Sequence, residues 1–397
     1  MKNEGCAALA SALCLNPSHL RELELSGNTL RSGMKQLCDV LQHQHFKLLK
    51  LGLCMCSLTE GDCAAVVAAL RTNPSHLKEL DLSENTVGST GVKELSDLLQ
   101  NSNCALEILK ILSPEAEEAC DSLTEVLGIN PLLQTDLDLS GKIYGDSVVK
   151  QLSVLLKDPQ CRTEKLRLSK SGITPSSCAN LISALTSKHS HLTELDLSEN
   201  TLGNPGVDKI STLLKNSSCK LQKLVLSDCR ITGEGYAALV KALKSSHLIE
   251  LDLGGNDPGE SGVKELRNLM NDTKCKLKTL RLSGCNLTEK RCSPLLSALR
   301  SVSSTLKELN LSNNKIQDSG VKLLSEELKM QHCKLETVRL SDCSITEEGY
   351  AALAVALKSN RSSHLKELDL RGNDPGASGV NLLTDLLQYR NNKLTLR

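Results

Sequence analysis

LTELDLSENTLGNPGVDKISTLLKNSSCKLQKLVLSDCRITGEGYAALVKAL, residues Leu192–Leu243, states one pattern twice with a single change. "LxxLxLSxN" leads into a helix-like run, then "LxxLxLSxC" leads into a second. The leucines of "LxLxLS" recur every second residue, which turns them inward and their neighbours outward on a short strand. Some ten residues on, "GVxxLxxLL" and "YAALxxAL" place apolar residues at i, i+3, i+4 and i+7, the pattern of a helix with one buried stripe. Strand, helix and parallel strand in succession make a right-handed βα step.

Outward from this stretch, units begin at Leu20, Leu48, Leu77, Leu106, Gln134, Thr163, Leu192, Leu221, Leu248, Leu277, Leu306, Leu335, Leu365 and Leu394, at intervals of 27 to 30 residues. That gives about thirteen full units, with a helix before the first and a stub after the last, and a fixed period of this length marks a solenoid. The whole chain, 1–397, therefore reads as one α/β array rather than the two or three globular domains its length would ordinarily suggest. Strands stack about 4.8 Å apart while helices need about 10 Å, so the array is expected to bend into a horseshoe with a parallel sheet on the concave face and helices on the convex face. Aromatics are 1% of the chain, one Phe, four Tyr and no Trp, which suits a core of stacked leucines.

The ninth residue of each unit turns inward after the strand, where backbone groups would otherwise go unpaired. It reads Asn28, Cys56, Asn85, Pro114, Lys142, Ser171, Asn200, Cys229, Asn256, Cys285, Asn314, Cys343 and Asn373. An Asn amide can satisfy such groups, and Cys is small and readily buried. The alternation implies two unit types, A with Asn and B with Cys, interlocking through differently shaped helices. A second set, Cys104, Cys161, Cys219, Cys275 and Cys333, lies two residues before the first leucine of type-B units. Periodic cysteines of this kind read as structural free thiols in a reducing cytosol, although the chain has seventeen in all.

These units resemble the ribonuclease-inhibitor type of leucine-rich repeat. "LKELDLSEN" at Leu77 and "SSCKLQKLVLSDC" at Ser217 resemble, more specifically, the C-terminal repeat arrays of vertebrate NOD-like receptors. The resemblance covers nearly the whole chain. It implies a non-catalytic protein-binding scaffold in the cytoplasm, ligand-sensing or autoregulatory, with a role in innate immunity. An activator of a small GTPase of the Ran cycle and an inhibitor of a secreted ribonuclease-type enzyme are the alternatives.

The outward strand positions are the candidate partner-binding residues: Glu79, Asp81, Lys110, Asp138, Lys165, Arg167, Glu194, Asp196, Lys223, Glu250, Asp252, Arg281, Arg339 and Asp369. Type-A strands are acidic at the third and fifth positions and type-B strands basic or neutral. Across parallel strands these are expected to sit laterally as opposite-charge neighbours, each pair contributing about 0.2–1 kcal/mol. The ladder would either neutralise itself and keep the open face soluble, or dock a partner of mixed charge. Hot spots favour Trp, Tyr and Arg, and of these only arginines stand at the outward positions, which argues against a grip on a very basic enzyme.

Lys+Arg and Asp+Glu both total 47, so nothing points to a nucleic-acid partner. No apolar run approaches the roughly 18 residues of a membrane span. No G-x-x-x-x-G-K-[ST] stretch occurs, and no nucleophile, base and orienting acid stand out, so neither cofactor nor catalysis is expected. His residues one place before type-A units, with cysteines nearby, fall in a periodic pattern without C-x-x-C, which argues against zinc. The unit spanning 106–133 lacks the Asn or Cys turn, and its Ser113–Pro114 step leads directly into an acidic helix. It is expected to divide 1–105 from 134–397, as a hinge or as a decayed repeat. A solenoid needs polar caps, and neither end of this sequence has one. Self-association through the ends, or continuation into a longer receptor, is the corresponding expectation.

Overall fold

Each strand of the computed structural model is three residues long, except the last, and neighbours within a sheet are parallel strands one repeat apart. The structure describes residues 5, 8–9, 11–13, 20–111, 136–389 and 394–397, apart from 31–32, 44, 74–75, 102, 107, 142–145, 158–160, 188–189, 302–303 and 361. The turn residues Pro114 and Lys142 and the irregular stretch 112–133 lie outside the described residues.

The described strands form two parallel sheets. The first is β1 (Glu22–Glu24), β2 (Lys50–Gly52), β3 (Glu79–Asp81) and β4 (Ile108–Lys110) in that order. The second runs β5 (Asp136–Asp138), β6 (Lys165–Arg167), β7 (Glu194–Asp196), β8 (Lys223–Val225), β9 (Glu250–Asp252), β10 (Thr279–Arg281), β11 (Glu308–Asn310), β12 (Thr337–Arg339), β13 (Glu367–Asp369) and β14 (Thr395–Leu396), again in chain order. The chain divides into two compact units, Met1–Thr135 with Ser147–Arg162 and Asp136–Asp146 with Thr163–Arg397. The first sheet belongs to one unit and the second to the other.

The register aligns every third, fourth and fifth position. Leu195, Leu224, Leu251, Leu280 and Leu309 pair in one row and are completely buried. Each such side chain contributes about 1.5–3 kcal/mol by leaving water, and the row continues from strand to strand. The helices close the other side. Gly203–Lys215 buries Val207, Ile210, Leu213 and Leu214, while Gly233–Leu243 buries Tyr236, Leu239, Val240 and Leu243.

The two helix types fit together at one position. A methyl group on Gly262 of the type-A helix Gly259–Met270 would lie 3.1 Å from Tyr236 Cβ and 2.8 Å from Pro258 Cβ. Gly379 stands in the same relation to Tyr350. At Gly91 and Gly320 the facing residue is Cys63 or Cys292, and the Cys178 thiol points to the Gly206 carbonyl at 3.8 Å. One slot of the type-B helix is thus filled by Tyr or Cys, and the next type-A helix answers with glycine.

Cysteine follows the structural reading. Cys38, Cys54, Cys56, Cys63, Cys161, Cys178, Cys229, Cys275, Cys285, Cys292, Cys333 and Cys343 are buried, whereas Cys104 and Cys219 are partly exposed, and all of these are free. Burial pushes the thiols of Cys178, Cys229, Cys285 and Cys292 up to about 12. Relative to an ordinary thiol this lowers the thiolate fraction at mild alkaline pH by roughly a thousandfold, and thiolate is the reacting species. Native protein should therefore leave these four unmodified by a thiol-specific alkylating reagent while Cys219 reacts, and urea should release all of them. Mass-spectrometric mapping checks this, and rapid native labelling of Cys229 would contradict it.

Candidate protein-binding face

The turns that carry the strands fix where the outward side chains can reach. At Asn200, 2% exposed, Nδ2 donates to the carbonyls of Leu168, Leu197 and Ser198 at 2.7, 2.9 and 3.1 Å. Its Oδ1 accepts from the amides of Ser171 at 3.0 Å and Ile173 at 2.8 Å in the preceding unit. Asn85 and Asn256 repeat the full set. Each of these three asparagines therefore stitches its turn to the turn of the unit before it.

The type-B turn is bound differently. Cys229 Sγ donates to the Leu197 carbonyl at 3.1 Å, and its own backbone carbonyl accepts from Gly203 N–H at 2.9 Å. A main-chain bond already serves the preceding type-A turn, so a carboxamide there would be superfluous and a small thiol fills the space. Ser171 makes the same contacts, to Leu139 and Ser169 carbonyls at 3.1 and 3.2 Å.

On the first sheet, Lys50 and Lys110 close on Glu79 at 3.3 and 3.0 Å. On the second, Lys165 and Lys223 meet Asp136 and Glu194 straight across the register at 4.0 and 3.1 Å. The arginines do not follow the lateral expectation. Arg167, at a fifth position, reaches the third-position carboxylates of both neighbours, Asp136 at 2.6 Å and Glu194 at 3.5 Å. Arg281 likewise spans Glu250 at 3.7 Å and Glu308 at 3.1 Å. Arg339 bonds to Glu308 and reaches Glu367 at 3.7 Å, and Arg397 extends the chain of charges to Glu367 at 3.3 Å.

The reason for the diagonal lies in the aspartates. Oδ1 of Asp81, Asp138, Asp196, Asp252 and Asp369 accepts the backbone N–H two residues on, from Ser83, Ser140, Ser198, Gly254 and Arg371, at 2.9–3.2 Å. This is an Asx turn that ends the strand. With the fifth-position carboxylates held toward the turn, the arginines swing to the third row. Asp138 stays exposed, and Asp196 and Asp252 are half-buried. Burial, with Asp196 and Asp228 adding to it, raises the Asp252 carboxyl against the Gly254 amide and Arg281. Asp81 and Asp369 are 3% and 1% exposed, which corrects their assignment as outward contact residues.

What remains open on the second sheet is Asp138, Lys165, Arg167, Glu194, Asp196, Lys223, Glu250, Asp252, Arg281 and Arg339, and what remains on the first is Glu79 and Lys110. Surface pairs of this kind contribute about 0–1 kcal/mol each, so the ladder decides charge balance rather than stability. Among the described residues no group of three His, Cys, Asp or Glu side chains could hold a metal ion, and no helix is long and apolar enough to cross a membrane.

Two sequence-family models match some of the repeats. One, described as Leucine Rich repeat, matches residues 73–96, 188–211, 217–240, 302–325, 331–354 and 361–381, and the other, described as Leucine Rich Repeat, matches 276–298. NACHT, LRR and PYD domains-containing protein 12 of Homo sapiens is 38% identical over 294 residues, which is 73% of this chain and 27% of that protein. Ribonuclease inhibitor of Mus musculus is 36% identical over 297 residues, 74% of this chain and 64% of that protein. NACHT, LRR and PYD domains-containing protein 3 of Bos taurus is 38% identical over 280 residues, 70% of this chain and 27% of that protein. The chain spans less than two thirds of the length of each of these relatives. Repeating βα units, the Asn–Cys alternation of their turns and these relatives agree: the chain is a leucine-rich-repeat protein of the ribonuclease-inhibitor type, related to the NACHT, LRR and PYD domains-containing proteins.

Proposed function

We infer that the chain is a non-catalytic protein-binding scaffold whose strand face meets its partner, and that it works in the cytoplasm as the ligand-sensing or autoregulatory repeat region of a NOD-like-receptor-type innate immune protein. One observation carries this reading: 38% identity to NACHT, LRR and PYD domains-containing protein 12 across 73% of the chain. The open face supports it. Arg167, Arg281 and Arg339 are each held by two carboxylates, so they present fixed guanidinium groups that lose little side-chain freedom on binding. Arginine is among the residues that dominate interface energies.

The relation to Ribonuclease inhibitor suggests a second reading, capture of a very basic enzyme. Charges that pair among themselves, and outward strand positions without a single aromatic, speak against it. A GTPase-activating role has no observation in its favour. Affinity capture from cytosol at low and high salt, using the native chain and an Arg167→Ala/Arg281→Ala/Arg339→Ala variant, tests the reading. Partners held by the native chain and lost by the variant are the expected result. Identical capture by both, or stoichiometric inhibition of a pancreatic-type ribonuclease, would contradict it.

A further inference from the structure

Three unpaired lysines of the second unit stand together away from the strand face, on the rim at the N-terminal ends of the strands. A cleft of about 760 Å³ opens there between the loops 244–247 and 272–278, with Ile249 in its wall and Gln222 and Thr305 at its sides. Lys274, Lys276 and Lys278 line it on alternate residues, exposed, with Cys275 and Leu277 buried between them. All three lysines therefore border the same cleft. Lys244, on the opposite loop, reaches Asp272 at 3.8 Å.

The three lysines differ from Lys307 and Lys366 in being unanswered. Farther along the same rim, Lys307 and Lys366 both close on Glu336 at 2.5 Å, and that carboxyl is held down at about 2 by the two bonds. By contrast, the ammonium groups of Lys274, Lys276 and Lys278 have no carboxylate or hydrogen-bond partner among the described residues. Nor does the repeat require them. The same three positions read Ser218, Lys220 and Gln222 in the type-B unit before, and His332, Lys334 and Glu336 in the one after. The repeat thus explains Lys276, lysine at the position of Lys278 otherwise stands in the type-A units as Lys78, Lys307 and Lys366, and Lys274 is an addition of this unit.

We propose that this cleft docks an extended acidic segment of a partner protein, with carboxylates on alternate residues opposite Lys274, Lys276 and Lys278. An extended chain repeats its side chains on one face every two residues, about 6.6–6.8 Å, and the lysines leave the loop at the same two-residue interval. The volume accommodates a short segment rather than a folded domain. A long polyanion such as RNA suits the site less well. The opposite ends of the strands carry Asp228, Asp257, Asp342 and Asp374, and the chain as a whole has no net charge to attract it. This surface stands apart from the strand face, so either can fail without the other.

Fluorescence anisotropy with the full chain and a fluorescein-labelled peptide of alternating glutamate and serine tests the proposal. Binding that weakens with salt, and that falls about tenfold or more in a Lys274→Glu/Lys276→Glu/Lys278→Glu variant, is the expected result. A Lys274→Gln/Lys276→Gln/Lys278→Gln variant, which removes charge without reversing it, should lose the same binding while keeping the native circular dichroism. Charge reversal at Lys241 and Lys264 on the helices should leave binding unchanged. Absence of peptide binding, equal binding by the triple variants, or tighter binding of a single-stranded oligonucleotide of the same charge would each overturn the proposal.

Discussion

Replacing Asn200 by alanine is expected to destabilise the second unit by about 3–5 kcal/mol, far more than loss of one polar side chain from a surface turn. Alanine would strand the Ser171 and Ile173 amides, which now donate to Oδ1 at 3.0 and 2.8 Å, and would leave three carbonyls short of a donor. Each buried donor left unpaired costs about 1–3 kcal/mol, and the room vacated by the amide is too confined to restore all five bonds with water. Urea denaturation gives the total, and hydrogen exchange at Ser171 and Ile173 reports the site directly, because long repeat arrays need not unfold as one. Cys229→Ser is the companion variant. Ser171 already makes these contacts in its own unit, so the exchange should cost about 1 kcal/mol or less. An Asn200→Ala variant as stable as the native chain would remove the turn from its role.

The second large effect is expected at Tyr236. It is wholly buried, and its ring stands against Gly262 of the next helix. Tyr236→Ala should cost about 3–5 kcal/mol, since a rigid stack cannot close over the space of a ring. Tyr236→Phe should cost about 1 kcal/mol or less, because the hydroxyl meets only the Leu253 carbonyl at 3.5 Å and Cys285 Sγ at 4.0 Å. Equal losses in the two variants by thermal denaturation would mean that the hydroxyl, not the ring, does the holding.

Much of this was legible in the sequence because the repeat multiplies every weak signal. The inward leucines, the outward third and fifth positions and the inward ninth residue all stand where the period of mostly 29 puts them. Three things were illegible or only partly legible. The diagonal reach of Arg167, Arg281 and Arg339 depends on the aspartates being committed to their own turns, and sequence spacing gives the register of neighbours without the direction of their side chains. Nor does spacing show that Asp81 and Asp369 are buried, the latter with the Arg371 guanidinium bonded to both its carboxylate oxygens at 2.9 and 2.6 Å. The glycine slot facing Tyr236 or Cys292 was missed although a signal existed: Cys63, Cys178, Tyr236, Cys292 and Tyr350 recur at one place in successive type-B helices. The "TKCKLK" departure at Thr273–Lys278 was also visible, but nothing in a string of letters says which lysines lack a carboxylate.

A double-mutant cycle on β11, β12 and β13 bears most directly on the strand face. Arg339→Ala combined with Glu308→Ala should give a coupling of about 0.5–1 kcal/mol, while Arg339→Ala combined with Asp369→Ala, its lateral neighbour in the register, should give about zero. Coupling to Asp369 and none to Glu308 would contradict the diagonal ladder, and with it the picture of a strand face whose charges answer one another.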